Sequence, residues 1–252
     1  MEYIQSTKNE KVKLWKKLLS KKFRDQTGTY LIEGEHLVQE AFKTNEIVEV
    51  IIQEGKEFAH EWKTDDHKIP VVLISKEVSE QISDTKAPQG IFAVCKKRIT
   101  KADFTKHFRF LLMDGVQDPG NIGTIIRTAD AAGVDVVILG EGTGDLYNPK
   151  VIRSAQGSHF HLTIESGNLL KWLKQIQQNE VPVYGTALEE AVNFQTAAPT
   201  ESFALVVGNE GAGVSKEILE KTDKNLYIPI YGHSESLNVS IATGILLYHL
   251  RK

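Results

Sequence analysis

The sequence has a single cysteine, Cys95. That excludes an internal disulfide and a zinc site built from several thiolates. It has no long hydrophobic run, whereas a membrane span needs about 20 apolar residues. Its opening, MEYIQSTKNEKVK, lacks the apolar stretch of a secretory signal. A cytoplasmic protein is therefore expected. No GxGxxG and no phosphate-loop lysine occurs at its glycine turns, so the dinucleotide and nucleoside triphosphate fingerprints fail. No Ser/His/Asp order stands out, and Cys95 lacks the setting of a nucleophile. His159 and His161 alternate with no third ligand type nearby, so no metal is expected.

What is present is globular. Over 252 residues the chain is 41% hydrophobic and 25% charged, enough for one large domain or two ordinary ones. Net charge is −3, but it is unevenly spread. Residues 1–108 carry 19 Lys and Arg against 17 Asp and Glu; residues 109–252 carry 11 against 16. Residues 1–24 hold eight basic side chains, among them Lys13, Lys17, Lys21 and Arg24. Such an arm is either a solvated helix face or an electrostatic footprint for phosphates.

Periodicity predicts two α/β units. In the first, Val12, Trp15 and Leu19, widened by Leu14 and Leu18, predict a helix over 9–19. Strands at 30–32, 48–52, 71–74 and 91–94 then alternate with helices at 35–42 and 76–82. The polar segment 96–107, with five Lys and Arg, is the expected linker. It separates a first domain over 1–95 from a second over 108–252. The second predicts strands at 108–113, 136–139, 161–164, 183–185, 203–208 and 225–228. Its helices fall at 122–132, 169–178, 215–220 and 237–250. Gly140–Gly144 reads as a turn because it runs into Pro149 and not into a helix.

Three junctions between a strand and a helix carry the chemistry. The first, DGVQDPGNIGTIIR over 114–127, turns at Pro119 and Gly120 and offers Asn121 as the helix cap. Arg127 follows among Ile125, Ile126 and Ala129. It either reaches solvent or a carboxylate, or it binds a ligand. The second, FALVVGNEGAGVS over 203–215, ends a buried strand in glycines that admit a ligand to the backbone, at the strand end where α/β sheets bind ligands. Glu210 there would repel a phosphate but accept from a hydroxyl or pair with a cation. The third, YIPIYGHSESLNVSIATG over 227–244, gathers Ser236, Asn238 and Ser240 at one helix start, more polar groups than a cap requires.

Together and in this order, NIGTIIRTADAAG, VVGNEGAGVS and IPIYGHSESLNVSIATG resemble the three motifs of the SpoU (TrmH-like) branch of the SPOUT RNA methyltransferases. The first unit, through YLIEGEHLV, is similar to the L30e-like substrate-binding domain fused ahead of many members. The resemblance implies an α/β fold whose C-terminal domain is a deep trefoil knot, mostly parallel in its sheet. It implies an S-adenosylmethionine-dependent 2′-O-ribose methyltransferase and a homodimer whose active site draws on both subunits. Carried over motif by motif, the expected catalytic set is Arg127, Asn121, Glu210, Ser236 and Asn238. The expected cofactor set is Thr186, Ala187, Leu188, Gly208, Asn209, Gly211, Ile228, Ile230 and Leu237. Ribosomal RNA is the expected substrate, with transfer RNA the alternative. Lys13, Lys17, Lys21, Arg24, Lys150 and Arg153 are the expected RNA contacts.

Two other readings stay open on residues alone. A small-molecule α/β enzyme would use the glycine loops for another cofactor. A non-catalytic RNA-binding protein would keep the fold, but folding does not demand Asn121, Arg127, Glu210, Ser236 and Asn238 together.

Overall fold

The computed structural model describes residues 2–56, 69–106 and 108–252; Met1 and part of the expected first domain, and His107 at the end of the expected linker, lie outside them. The chain divides into two compact units, 1–98 with 145–160, and 99–144 with 161–252. No helix among the described residues is long and apolar enough to cross a membrane.

The first unit opens with β1 (Glu2–Ile4), α1 (Glu10–Lys17), α2 (Lys21–Thr27), β2 (Thr29–Glu33) and α3 (Glu35–Phe42). It continues with β3 (Ile47–Gln53), β4 (Val71–Ile74), α4 (Lys76–Ile82) and β5 (Ile91–Lys96). The sheet is mixed, in the order β1-β4-β3-β5-β2. Its β1–β4 and β4–β3 pairs are parallel, and its β3–β5 and β5–β2 pairs antiparallel. Val12, Trp15 and Leu18 seal α1 onto one face, whereas Leu14 is exposed, so the apolar stripe is narrower than the sequence predicts.

The second unit begins with β6 (Arg109–Asp114), α5 (Pro119–Ala131) and β7 (Val136–Leu139). The chain then forms α6 (Pro149–Ala155), which packs with the first unit. It returns as β8 (Thr163–Ser166), α7 (Leu169–Gln178), β9 (Val183–Thr186), β10 (Val192–Asn193), β11 (Phe203–Gly208), α8 (Lys216–Leu219), β12 (Lys224–Tyr227) and α9 (Val239–Leu250). The sheet order is β10-β12-β9-β11-β6-β7-β8 and every pairing in it is parallel. All six residues of β11 are buried, as a central parallel strand covered on both faces requires.

Residues 145–160 depart from the single boundary expected from the sequence. Ile152 and Phe160 enter the same core as Tyr30, Ile32 and Leu37. The Tyr30 hydroxyl and His159 Nε2 are hydrogen-bonded at 3.1 Å, and Arg24 pairs with Asp145. Two local expectations are also corrected. Pro149 does not prevent a helix: it is the first residue of α6, behind the Asn148 cap, where its missing N–H costs nothing. Asp118, not Asn121, caps α5; its carboxylate accepts from the Asn121 N–H, and Pro119 again follows the cap.

Candidate functional site

Because the second sheet is parallel, the loops leaving β6, β9, β11 and β12 all emerge at one end, from neighbouring strands. Those after β9, β11 and β12 line a pocket of about 820 Å³, and the loop after β6 is hydrogen-bonded to its rim at Glu210. Thr186, Ala187 and Leu188 come from the end of β9, and Gly208, Asn209 and Gly211 from the β11 turn. Ile228, Ile230 and Leu237 come from the segment after β12. All nine residues that the resemblance assigns to the cofactor therefore line one cavity.

The turn after β11 is held by its own side chain. Asn209 Oδ1 accepts from the N–H groups of Gly211 (2.9 Å) and Ala212 (3.0 Å), and Asn209 Nδ2 donates to the Gly115 carbonyl (2.9 Å). The Gly213 and Asn209 main chains exchange two hydrogen bonds. This folds the chain so tightly that a Cβ on Gly208 would lie 2.1 Å from Gly213 C and Val214 N. Only glycine fits there. Gly115 is fixed from its other side as well: its N–H donates to Thr143 Oγ1, which donates to the Met113 carbonyl.

A chain of hydrogen bonds joins the three junctions at the pocket's rim. Asn238 Nδ2 donates to Asn121 Oδ1 (2.9 Å), and Asn121 Nδ2 donates to Glu210 Oε1 (3.0 Å). The Glu210 carboxylate also accepts from the Gln117 and Asp118 N–H groups (3.1 and 3.0 Å). Partial burial pushes the Glu210 carboxyl up, but the bonds from Asn121, Asp118 and Gln117 outweigh it and hold it below its ordinary value. Glu210 is thus an anion at neutral pH. Asn238 also caps α9, its Oδ1 accepting from the Ser240 and Ile241 N–H groups. Glu210, Ser236 and Asn238 line the pocket, and Asn121 sits behind them.

Arg127 is placed differently. It lies on the exposed side of α5, does not line the pocket, and has no hydrogen bond or ion pair among the described residues. Helix α9 packs alongside α5. Beyond that contact α9 leaves Ile241, Ile245 and Tyr248 exposed, a run of large apolar side chains on a helix that is apolar around much of its girth.

The expected RNA contacts all lie in the first unit. Lys13 is exposed and paired with Glu10, Lys17 lies over the Phe23 ring, and Lys21 and Lys150 are exposed. Arg153 is half-buried and pairs with Asp84. Arg24 is corrected: it is 2% exposed, donates to the Leu18 carbonyl and pairs with Asp145. A guanidinium so enclosed does not meet a phosphate.

The pocket's chemistry limits its ligand. Its charged lining residues are Glu189, Glu210 and Glu235, and no Lys, Arg or His lines it. Phosphates would be repelled, which removes nicotinamide dinucleotides and nucleoside triphosphates. A cation with a flat apolar part would be held by the carboxylates and by Leu188, Ile228, Ile230 and Leu237, with exposed main chain at the glycines. S-adenosylmethionine fits that description. Glu189 and Glu235 were not evident in the sequence. Asp118 and Gln117 were missed as well, although the Asp-Pro pair was a readable start of a helix.

Comparison with known proteins agrees. Residues 109–248 match the SpoU rRNA Methylase family and residues 9–93 the MRM3-like substrate binding domain. The chain is 50% identical over 252 residues, all of both chains, to the 23S rRNA (guanosine(2553)-2′-O)-methyltransferase RlmP of Bacillus subtilis (strain 168). It is 32% identical to a putative TrmH family tRNA/rRNA methyltransferase of Staphylococcus aureus (strain COL), over 87% of this chain and 94% of that one. Among solved structures, the AdoMet-bound rRNA methyltransferase from Sinorhizobium meliloti superposes with a TM-score of 0.88 at 30% identity, covering 99% of this chain and 97% of that one. The chain therefore belongs to the SpoU rRNA methylase family of S-adenosylmethionine-dependent RNA 2′-O-methyltransferases, with an MRM3-like substrate-binding domain ahead of its catalytic part.

Proposed function

We propose that this protein methylates the ribose 2′-hydroxyl of a guanosine in 23S ribosomal RNA, the nucleotide for which its Bacillus subtilis relative is named. The observation that carries the reading is the identity to that relative, which extends over the whole of both chains. It is supported by the hydrogen-bonded Glu210–Asn121–Asn238 chain at the rim of a pocket suited to a cationic donor.

In this reading the bound sulfonium supplies an electrophilic methyl group. The protein must then align a ribose oxygen behind that methyl and stabilise the charge that develops on the oxygen. Asn121 and Asn238 set the geometry, each fixed by more than one partner. Glu210 holds the junctions together, and because it lines the pocket its carboxylate would favour a cationic donor bound there. Arg127 serves the RNA: its planar guanidinium suits a phosphate, which it grips, or it steadies the forming alkoxide.

That role requires Arg127 to reach a pocket that its own chain does not place it beside. A second copy would supply what is missing. Docking two copies through the exposed Ile241, Ile245 and Tyr248 face would bury the apolar run and bring the Arg127-bearing helix of one protomer toward the pocket of the other. The threaded C-terminal segment implied by the family accompanies this reading.

The test is methylation of 23S rRNA from a strain lacking this protein, mapped at nucleotide resolution. Wild-type enzyme should modify the single guanosine. Arg127→Ala should abolish transfer while keeping S-adenosylmethionine affinity within about twofold of wild type. Modification of transfer RNA in place of ribosomal RNA, or full activity of Arg127→Ala, would refute the corresponding part.

A further inference from the structure

A second concavity lies in the catalytic unit, away from the pocket described above. It is a groove of about 570 Å³ between residues 101–104 and α7. Its floor is aromatic. Trp172 and Phe104 are both half-buried, their ring centroids 6.3 Å apart, and Phe104 stacks in turn on the buried Phe110 at 5.3 Å. Its rim is cationic and amide-rich: Lys101 and Lys171 are exposed, as are Gln175, Gln178 and Asn179. One carboxylate, Glu165, also lines the groove, and one of its oxygens accepts from the Ala102 N–H.

The charge is unusual for its surroundings. Residues 109–252 are acidic as a whole, yet α7 carries Lys171 and Lys174 and no carboxylate. The facing segment, 96–106, carries five Lys and Arg against Asp103 alone. Amphipathicity explains Leu169, Leu173 and Ile176, which are buried. Trp172 lies on the same stripe and packs against that core, but its indole is only half-buried and stays open to the groove beside Lys171.

An aromatic platform flanked by cations and side-chain amides is the chemistry that holds an unpaired nucleotide. The ring stacks on the base, the lysines meet the phosphates, and the amides read base edges. The position suits a nucleotide near the target. Gly167 and Asn168, in the groove, follow β8 at the same end of the sheet as the pocket loops. β8 stands three strands from β11, about 14 Å at ~4.8 Å per strand, a short reach for extended single-stranded RNA.

We propose that the groove between residues 101–104 and α7 is an RNA-binding subsite, in which Trp172 stacks on an unpaired base flanking the methylated nucleotide and Lys101 and Lys171 hold its phosphates. It rests on the reading of the enzyme's substrate as RNA and adds to it a second point of contact on the catalytic unit.

The experiment measures binding of full-length protein to a naked 23S rRNA fragment containing the target guanosine, across a salt series, with S-adenosylmethionine affinity measured alongside. Trp172→Ala should weaken RNA binding by about 5- to 150-fold, the range for loss of one base–aromatic stack. Trp172→Phe should restore most of it, because a phenyl ring still stacks. Lys101→Glu/Lys171→Glu should weaken binding and lower the salt slope by about 1.4, two phosphate contacts on a single strand. Donor affinity should hold in all three. Because both lysines are exposed, that pair decides the matter even if Trp172→Ala fails to fold. Wild-type RNA affinity in the lysine variant overturns the proposal, as does a loss seen only on ribosomal particles, which would mark a protein partner. Normal methylation by wild type with unaltered variants sinks the groove alone. Loss of affinity in the variants with no methylation of the fragment by wild type sinks the target assignment alone.

Discussion

Replacing Gly208 by alanine tests whether the β11 turn is the wall that shapes the pocket proposed for the donor. The added methyl would begin 2.1 Å from Gly213 C and Val214 N and 2.3 Å from the Gly213 carbonyl oxygen. Ordinary contact lies near 3.5–4.0 Å, so main chain must retreat by more than about 1 Å. Main chain, unlike a side chain, has no rotamer to change. Overpacking of this kind costs about 1–3 kcal/mol even where side chains yield. The relief open to the variant is to swing residues 209–213 outward. That would break the Asn209–Gly213 hydrogen bonds and carry Gly211 and Ala212 away from the pocket. If 1–3 kcal/mol is the strain needed to restore the binding shape, S-adenosylmethionine affinity should fall by about 5- to 150-fold. Calorimetric titration of the donor, with circular dichroism confirming the fold, measures this. A Gly208→Ala protein that binds the donor like wild type would show that the turn does not form the wall.

Other expectations follow from the same structure. Arg24→Ala leaves Asp145, 15% exposed in its side chain, without its cation in an enclosed site, and should destabilise the first unit by about 3–5 kcal/mol; denaturant unfolding measures it. Glu210 has a lowered carboxyl pKa, so its stabilising contribution is full above the ordinary carboxylate range and is lost as pH falls through that range to the lowered value. Glu210→Gln should therefore flatten the acid side of the pH–stability curve, and an unchanged curve would contradict the hydrogen-bond chain. Cys95 is fully buried and burial pushes its thiol pKa up; it should resist aromatic disulfide reagents in the native protein and react once the chain is unfolded in urea. Ile241→Asp should dissociate a dimer built on the α9 face, seen by sedimentation, and abolish methyl transfer with it.

Sequence periodicity was most informative where local pattern and tertiary demand coincide. Lys76–Ile82, Leu169–Gln178 and Phe203–Gly208 were legible to the residue, because an amphipathic stripe or a fully apolar strand says the same thing at both levels. Helix α6 was hidden because a proline at a first helical position looks like a proline ending a turn. Helix α2, KKFRDQT, has too few apolar residues for a period. Arg24 looked like one more cation of a basic arm, since its partner Asp145 stands 121 positions away. The rim residues Asn121, Glu210 and Asn238 were legible as types at motif positions. Their hydrogen bonds were not, because they join residues 89 and 117 positions apart. The Trp172 groove was legible only in part: the basic run of the linker shows in the sequence, but its placement against α7 does not, because the two walls lie far apart along the chain.

The placement of residues 145–160 bears on how this protein is made. Phe160 and Ile152 complete the core around Tyr30 and Ile32, so an N-terminal fragment released or truncated near residue 98 lacks part of its own interior. During synthesis the leading portion must therefore wait, unfinished, while about sixty further residues emerge. Those residues include two strands of the other sheet. The leading portion cannot be transplanted into another polypeptide by a single cut near residue 98 without leaving part of its interior behind.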